Sequence, residues 1–326
     1  MSFDVILPFL RPIQNLILDA DISEIMVNGS ERVFVERSGR MEEVTGVSIP
    51  EKSLQVAVRN IARALGDEID EEKPMLDSRL PDGSRVAAIF PPCSVEGTTL
   101  TIRKFHHKQY TADELVRIGS LSPDMLQRLR EAITRRENIL ISGGTGTGKT
   151  TLLNALAAFI PDEDRIVVIE DTSEIQIDKP NRRRLEARRA HADIPAVTIR
   201  ELLRATLRHR PDRIILGEVR GGEAFDLLQA LNTGHSGTLS TIHANSAQQA
   251  ISRFTSCILQ SGVELPYRAV RSNIADAVNL LLHIERRNGR RYASELLEIR
   301  GYDPGTDSYA LTALSEAPQW RTSYAQ

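Results

Sequence analysis

The run Gly143-Gly144-Thr145-Gly146-Thr147-Gly148-Lys149-Thr150 has glycine, lysine and threonine at the GxxxxGK[ST] spacing, a pattern specific for phosphate chemistry. Glycines let a loop wrap until successive backbone N–H groups face an anion, an approach that side chains would block. A helix beginning at Thr151 points its positive end at the same anion. Lys149 has the reach for the β- and γ-phosphates, and the Thr150 hydroxyl is placed to ligate Mg²⁺. An apolar stretch before the loop and a helical pattern after it supply the context the motif needs. Gly143 to Thr151 is therefore the expected nucleotide-binding segment.

Hydrolysis would also need a metal-side acid and a group that positions water. Arg213–Gly217 is an apolar strand leading into Glu218, where a Walker B acid belongs. It departs from the common pattern, because Gly217 stands where an aspartate often sits. A second strand, Arg165–Glu170, opens into Asp171-Thr172-Ser173-Glu174. Ligands bind at the carboxyl ends of strands in open α/β sheets, so Glu174 and Glu218 are expected to converge on Mg²⁺ and the γ-phosphate. Either could instead be a helix N-cap or a surface acid. His235 and His243 flank the strand Gly237–Ile242 at opposite ends, and His243 stands on the phosphate side. His243 is the expected γ-phosphate sensor; a satisfied structural histidine is the competing reading for both.

These residues need a scaffold. From Ser122 onward, helices alternate with short, near-continuous apolar strands at Asn138–Ser142, Arg165–Glu170, Arg213–Gly217 and Gly237–Ile242. Such strands imply a mainly parallel sheet covered on both faces. Thr198 and Glu201 form a capping box for a helix Ile199–His209, and three further strands follow Asp276, with turns at Asn288-Gly289 and Asp303-Pro304-Gly305. Before this region, Pro8 to Phe105 reads as a smaller α+β unit. Its expected elements are a helix over Pro8–Asp19, strands Glu24–Val27 and Arg32–Glu36 about an Asn28-Gly29 turn, and a second turn at Ser38-Gly39. A helix Ser53–Leu65, a hairpin from Leu76 to Phe90 and a strand Thr98–Phe105 complete it. The division expected is an N-terminal domain over 1–108, a linker over 109–122 with helix starts at Thr111 and Ser122, and a P-loop domain over 123–326 with a polar, frayed end.

A net charge of −3 gives no global case for nucleic-acid binding. Cys93 and Cys257 are far apart and lack CxxC spacing, which argues against a disulfide scaffold or zinc site. No signal peptide or membrane-spanning run is expected, so the reading is a cytoplasmic protein reaching a membrane only through partners.

Four blocks, GGTGTGKT, VVIEDTSE, RPDRIILGEVRGGEA and TGHSGTLSTIHANS, resemble the Walker A, Asp box, Walker B and His box of the secretion traffic ATPases, in family order across residues 138 to 250. This superfamily powers type II secretion, type IV pili and type IV secretion. Within it the chain resembles most the conjugal-transfer ATPases of the TrbB type. Type II members usually carry a tetracysteine zinc module, and two cysteines weigh against that branch. The resemblance implies a RecA-like α/β domain preceded by a smaller α+β (PAS-like) domain, ATP as the nucleotide, and a homohexameric ring peripheral to the inner membrane. It implies Glu174 as the water-polarising acid, Glu218 as the Walker B acid, His243 as the His-box sensor, and Lys149 and Thr150 on phosphate and Mg²⁺. It also places arginines of the N-terminal domain against the phosphates, and Arg85 and Arg103 fit best.

The leading expectation is thus an Mg²⁺-dependent ATPase motor of a type IV secretion or conjugal-transfer machine, working with inner-membrane components. A pilus-assembly or tight-adherence ATPase is the alternative within the class. A nucleic-acid translocase is disfavoured by the acidic balance and by aromatics at only 5%, too few to build stacking platforms. A nucleotide-gated scaffold is disfavoured by Glu174 and Glu218. The Arg182, Arg183, Arg184, Arg188, Arg189 cluster reads as a solvated hairpin or helix face before a pore lining or partner contact. The segment Pro8–Asp19 reads as core packing before a membrane-docking face.

Overall fold

The computed structural model describes residues 3–37, 39–105, 110–188, 190 and 194–315. Ser38 of the second turn, Arg189 of the arginine cluster and the polar tail from 316 lie outside the described residues. The chain separates into two compact units, Met1–Lys108 and Gln109–Gln326.

The first unit opens with two short 3-10 turns, Leu7–Phe9 and Arg11–Ile13, then helix α1 (Gln14–Leu18). The single helix expected over Pro8–Asp19 is therefore broken. Pro8 and Pro12 each sit in the first turn of a 3-10 segment, where a missing N–H costs nothing, and neither could continue an α-helix from the turn before. Ile6, Leu10, Ile13 and Ile17 are all buried, so the apolar spacing packs this segment into the core. Strands β1 (Ile22–Asn28), β2 (Arg32–Arg37) and β3 (Arg40–Val44), helix α2 (Glu51–Ala64), and strands β4 (Met75–Arg79), β5 (Arg85–Ile89) and β6 (Thr99–Arg103) follow. The strands form one antiparallel sheet in the order β3-β2-β1-β6-β5-β4. Leu54, Val58 and Ile61 of α2 share a buried cluster with inward residues of the strands, including Ile25, Val27, Val86, Leu100 and Ile102.

The second unit contains α3 (Ala112–Arg117), α4 (Pro123–Thr134), β7 (Ile139–Gly143), α5 (Lys149–Ala157), β8 (Ile166–Glu170), β9 (Arg182–Glu186), α6 (Ile199–Thr206) and β10 (Arg213–Val219). It continues with α7 (Glu223–Asn232), β11 (Leu239–Ile242), α8 (Ala247–Leu259), α9 (Tyr267–Ala277), β12 (Leu280–Arg287), β13 (Arg290–Asp303) and β14 (Ser308–Ser315). The stretch expected as a linker carries α3 and buries Ala112, Leu115 and Leu121 in this unit's core. Capping boxes start α3 at Thr111 and α6 at Thr198, and the Ser122 hydroxyl caps α4.

Eight strands run in the order β14-β13-β12-β7-β11-β10-β8-β9. The run from β12 to β9 is parallel, and β13 and β14 are antiparallel additions. Successive residues of each central strand serve opposite cores. Ile139 and Ile141 face α4 and α5, with Val168, Ile215 and Leu282, while Leu140 faces the layer of α6 to α9, with Val167, Leu216 and Leu281. Two covered faces are why these strands read as unbroken apolar runs. The arginine cluster departs from expectation: Arg182 to Glu186 form the parallel edge strand β9 beside β8. A charged strand suits a sheet edge, because it discourages pairing with another chain.

Asn138 pins the amino end of β7 to its neighbours. Its Oδ1 accepts from Gly237 N at 2.8 Å and Thr238 N at 3.0 Å, and its Nδ2 donates to Ala277 O at 2.7 Å. The side chain is buried, so its removal would strand two amides and a carbonyl without water. We expect Asn138→Ala to lower stability by about 3 kcal/mol in urea unfolding. A loss below about 1 kcal/mol would show that solvent reaches these groups.

Candidate active site

Four parallel strands end at one edge of the second unit's sheet, and the chemistry-bearing residues lie on or just after those ends. The phosphate-loop segment joins β7 to α5. Gly143 is packed so closely that a Cβ there would stand 2.5 Å from the Ile284 carbonyl oxygen. Gly148 adopts φ 95° at the N-cap of α5, a left-handed conformation that side chains resist. The helix starts at Lys149, two residues before the expected Thr151, so Lys149, Thr150 and Thr151 form its first turn. Thr147 closes the loop by donating from Oγ1 to Gly144 O at 2.9 Å.

Lys149 is only 8% exposed. Its Nζ donates to Gly143 O at 2.9 Å and Gly144 O at 2.8 Å, leaving one ammonium N–H for a ligand. Burial lowers its pKa, and the nearby Glu218 carboxylate opposes that shift.

A bulge positions Glu218. Leu216 pairs with Ser240 and Val219 with Ile242, so Gly217 and Glu218 together face Thr241. The Thr241 hydroxyl fastens the bulge by donating to Gly217 O at 2.6 Å. Glu218 then meets His243 Nε2 at 2.9 Å through Oε1 and Arg220 Nη2 at 2.8 Å through Oε2. A carboxylate only accepts, so the proton of His243 sits on Nε2 and is aimed at Glu218. The 3.4 Å approach of that same nitrogen to Lys149 Nζ is then a contact of two donors. Burial first, and then the charge of Lys149, hold the His243 pKa below its ordinary value and keep the ring neutral. Lys149, His243 and Glu218 are thus contiguous. His235 lies at the other end of β11, its backbone N–H on Ala230 O, and does not join this group.

Arg220 was not singled out from the sequence, yet it bridges both acidic segments. Its Nη1 reaches Asp171 Oδ2 at 2.9 Å, its Nη2 holds Glu218, and Glu174 adds to the negative field around it. Glu170 was also missed as a separate part. Its Oε1 accepts from the amides of Glu174 and Ile175, both at 2.8 Å, so it fixes the backbone that carries Glu174. Its Oε2 is buried without a partner. The Ser173 hydroxyl accepts from Arg184 of β9, and Gln176 N donates to Asn154 Oδ1 of α5, bracing the same segment.

The glycine at position 217 now has a cause. A Cβ there would stand 2.9 Å from Glu170 Cγ, so an aspartate at this position has no room.

Arg85 and Arg103 belong to the first unit, where they face each other in register across β5 and β6, with Arg79 of β4 opposite Arg85. Like charges aligned across a ladder repel. Asp77, 3.9 Å from Arg85, and Glu24, opposite Arg103, relieve part of that repulsion. Arg79 carries no motif signal; only the register reveals it.

The profile of the family described as type II/IV secretion system protein matches residues 10–299. Conjugal transfer protein TrbB of Rhizobium radiobacter is 39% identical over 289 residues, covering 87% of this chain and 85% of that protein. Type IV secretion system protein PtlH of Bordetella pertussis is 36% identical over 305 residues, covering 86% and 90% respectively. The X-ray structure of the ATPase DotB of Legionella pneumophila shares the fold, with a TM-score of 0.61 at 22% identity over 84% of this chain and 76% of that one.

Burial raises the Glu170 carboxyl from 4.5 to about 7, against the two amide bonds that favour its charge. Well below 4.5 it is protonated in folded and unfolded chains alike and favours neither. As pH rises through that value the unfolded chain ionises first, so folded stability falls until the folded carboxyl also ionises near 7. Glu170→Gln keeps an oxygen for both amides and removes the slope. Between pH values of about 5 and about 8, the wild type should lose up to about 3 kcal/mol relative to this variant in urea unfolding without nucleotide. Parallel profiles would mean that Glu170 ionises normally.

Proposed function

Because the chain belongs to the type II/IV secretion system protein family, we propose that it is an ATP-hydrolysing motor that energises a type IV secretion or conjugal-transfer machine. The observation that carries this reading is the contact chain from Lys149 through His243 to Glu218. It sets a phosphate-binding lysine, a neutral imidazole and a metal-side acid within 3.4 Å steps. The names of the relatives, a conjugal transfer protein and a type IV secretion system protein, support the choice of machine.

The glycine loop suits a triphosphate, since its crowding at Gly143 and left-handed turn at Gly148 leave main-chain amides as the lining. The Thr150 hydroxyl and the Glu218 carboxylate are hard oxygen donors of the kind Mg²⁺ takes, so these residues fit the ion and would hold it. When bound, Mg²⁺ supplies charge neutralisation on the transferred phosphoryl group. Lys149 binds the β- and γ-phosphates with its remaining N–H. Glu174 holds the attacking water, on a backbone fixed by Glu170. His243 reports the state of the γ-phosphate to Glu218 through its Nε2 proton. Charge developing on the phosphoryl oxygens is met by Lys149, and Arg85 and Arg103 of the first unit are proposed as further phosphate-facing arginines.

In this reading the second unit is the RecA-like ATPase domain and the first, an antiparallel sheet with α2 on its core face, is the PAS-like domain. The functional division falls at 108, with 109–122 joining the two domains while packing on the second, and the assembly is a homohexamer whose head-to-tail contact closes into a ring. No helix among the described residues is long and apolar enough to cross a membrane. Attachment to the cytoplasmic side of the inner membrane through membrane partners accords with that.

Phosphate release and nucleotide binding, measured together, test the assignment. Lys149→Ala should lose ATP binding and turnover. Glu174→Gln should keep ATP binding while turnover falls by about 100-fold or more. Wild-type turnover in Glu174→Gln would remove Glu174 from the water-positioning role.

A further inference from the structure

The β12–β13 hairpin reaches past the strand that carries the phosphate loop. Strand β12 runs parallel to β7 with Ile284 opposite Gly143, where β7 stops. It continues to Arg287, turns through Asn288 and Gly289, and returns as β13. The tip sets Arg286 opposite Arg291 and Arg287 opposite Arg290, all four exposed. Two facing pairs of like charge weaken a ladder, so the hairpin tip bears an electrostatic cost.

Arg291 spans from this tip to the loop. Its Nε donates to Gly146 O at 2.8 Å. Its Cδ lies 3.4 Å from where a Cβ on Gly148 would stand, and Arg286 Nη1 lies 3.7 Å from the equivalent point on Gly146. In a trans peptide the carbonyl of one residue and the N–H of the next point in opposite directions. Holding the Gly146 carbonyl toward the hairpin therefore turns the Thr147 N–H away from it.

We propose that Arg291 is a positioning residue of the nucleotide site, which orients the Thr147 amide toward the bound polyphosphate by holding the Gly146 carbonyl on the hairpin side. The arginines of the same tip raise the positive potential beside the loop. This inference rests on reading the loop as an ATP site and adds a residue from the far end of the chain to it. Arg291 acts through the loop backbone and needs no contact with the ligand.

The test uses the full chain, with Mg-ATP and inorganic tripolyphosphate as separate probes in a direct binding assay, together with steady-state hydrolysis. Arg291→Ala should raise Kd for both probes about tenfold, with the loss in hydrolysis falling on KM more than on kcat. Arg291→Lys can still donate to the carbonyl and should recover binding to within about threefold of wild type. Binding of both probes within about twofold of wild type by Arg291→Ala would overturn the proposal. A loss for ATP with tripolyphosphate unaffected would overturn it as well, because the oriented amide serves phosphates and not the base. Should Arg291→Ala fail to fold, Arg291→Met keeps the aliphatic stem without any donor and is held to the same thresholds. A wild-type chain that binds neither probe would overturn the ATPase reading together with this one, whereas wild-type binding with unaltered variants overturns the Arg291 role alone.

Discussion

Three glycine carbonyl oxygens of the phosphate loop are claimed by donors of the protein itself, and the rest of the site follows from that constraint. Gly143 and Gly144 give theirs to the Lys149 ammonium, Gly144 also to Thr147, and Gly146 to Arg291. Each such bond fixes the direction of the peptide plane that contains it, and with it the direction of the next amide. An anion cradle made of amides is stable only if the opposite poles of those peptides are satisfied elsewhere. The lysine therefore serves the loop before it serves any ligand. Its burial is tolerable because two of its three donors are matched inside the protein.

That constraint reaches across the sheet. Gly143 can approach β12 so closely only because it lacks a side chain, and the approach aligns the β12–β13 hairpin with the loop. On the other side of β7, Asn138 and the Thr241–Gly217 hydrogen bond set the registers of β11 and β10, which bring His243 and Glu218 to the lysine. The two cores make this edge rigid, since every central strand is anchored by apolar side chains on both faces.

Much of this was legible in the sequence, for reasons that particular residues show. The loop could be read because glycine spacing and the lysine and threonine after it have no common alternative use. The central strands could be read because Ile139, Leu140 and Ile141 each have a core to enter, which leaves no polar interruption. The conjugation-like blocks carried the family, and the relatives share it across most of the chain. Arg182 to Glu186 could not be read as a strand, because an edge strand without an apolar face has no period. Glu170 stands in the same acidic run as Asp171 and Glu174, and composition does not tell a carboxylate that caps amides from one that faces solvent. The bulge at Gly217 and Glu218 is visible only in the register against β11. Arg291 lies 145 positions from the carbonyl it holds, in a turn whose own signal is only that of a hairpin.

Magnitudes separate the acids that can change partners from those that hold the frame. Arg220 is 57% exposed, and its pairs with Asp171 and Glu218 are of the solvent-facing kind worth about 0–1 kcal/mol each. Breaking such a pair costs little at the Asp171 end, which is 42% exposed, and more at Glu218, which is 20% exposed and also meets His243. Glu170 is the opposite case. It is buried and accepts from two backbone amides, and leaving those amides unpaired would cost about 1–3 kcal/mol each. The acidic run after β8 therefore divides by burial into a fixed root and mobile charges. The partners of Glu218, Arg220 and His243, lie on side chains, whereas the segment carrying Glu174 is held through its backbone.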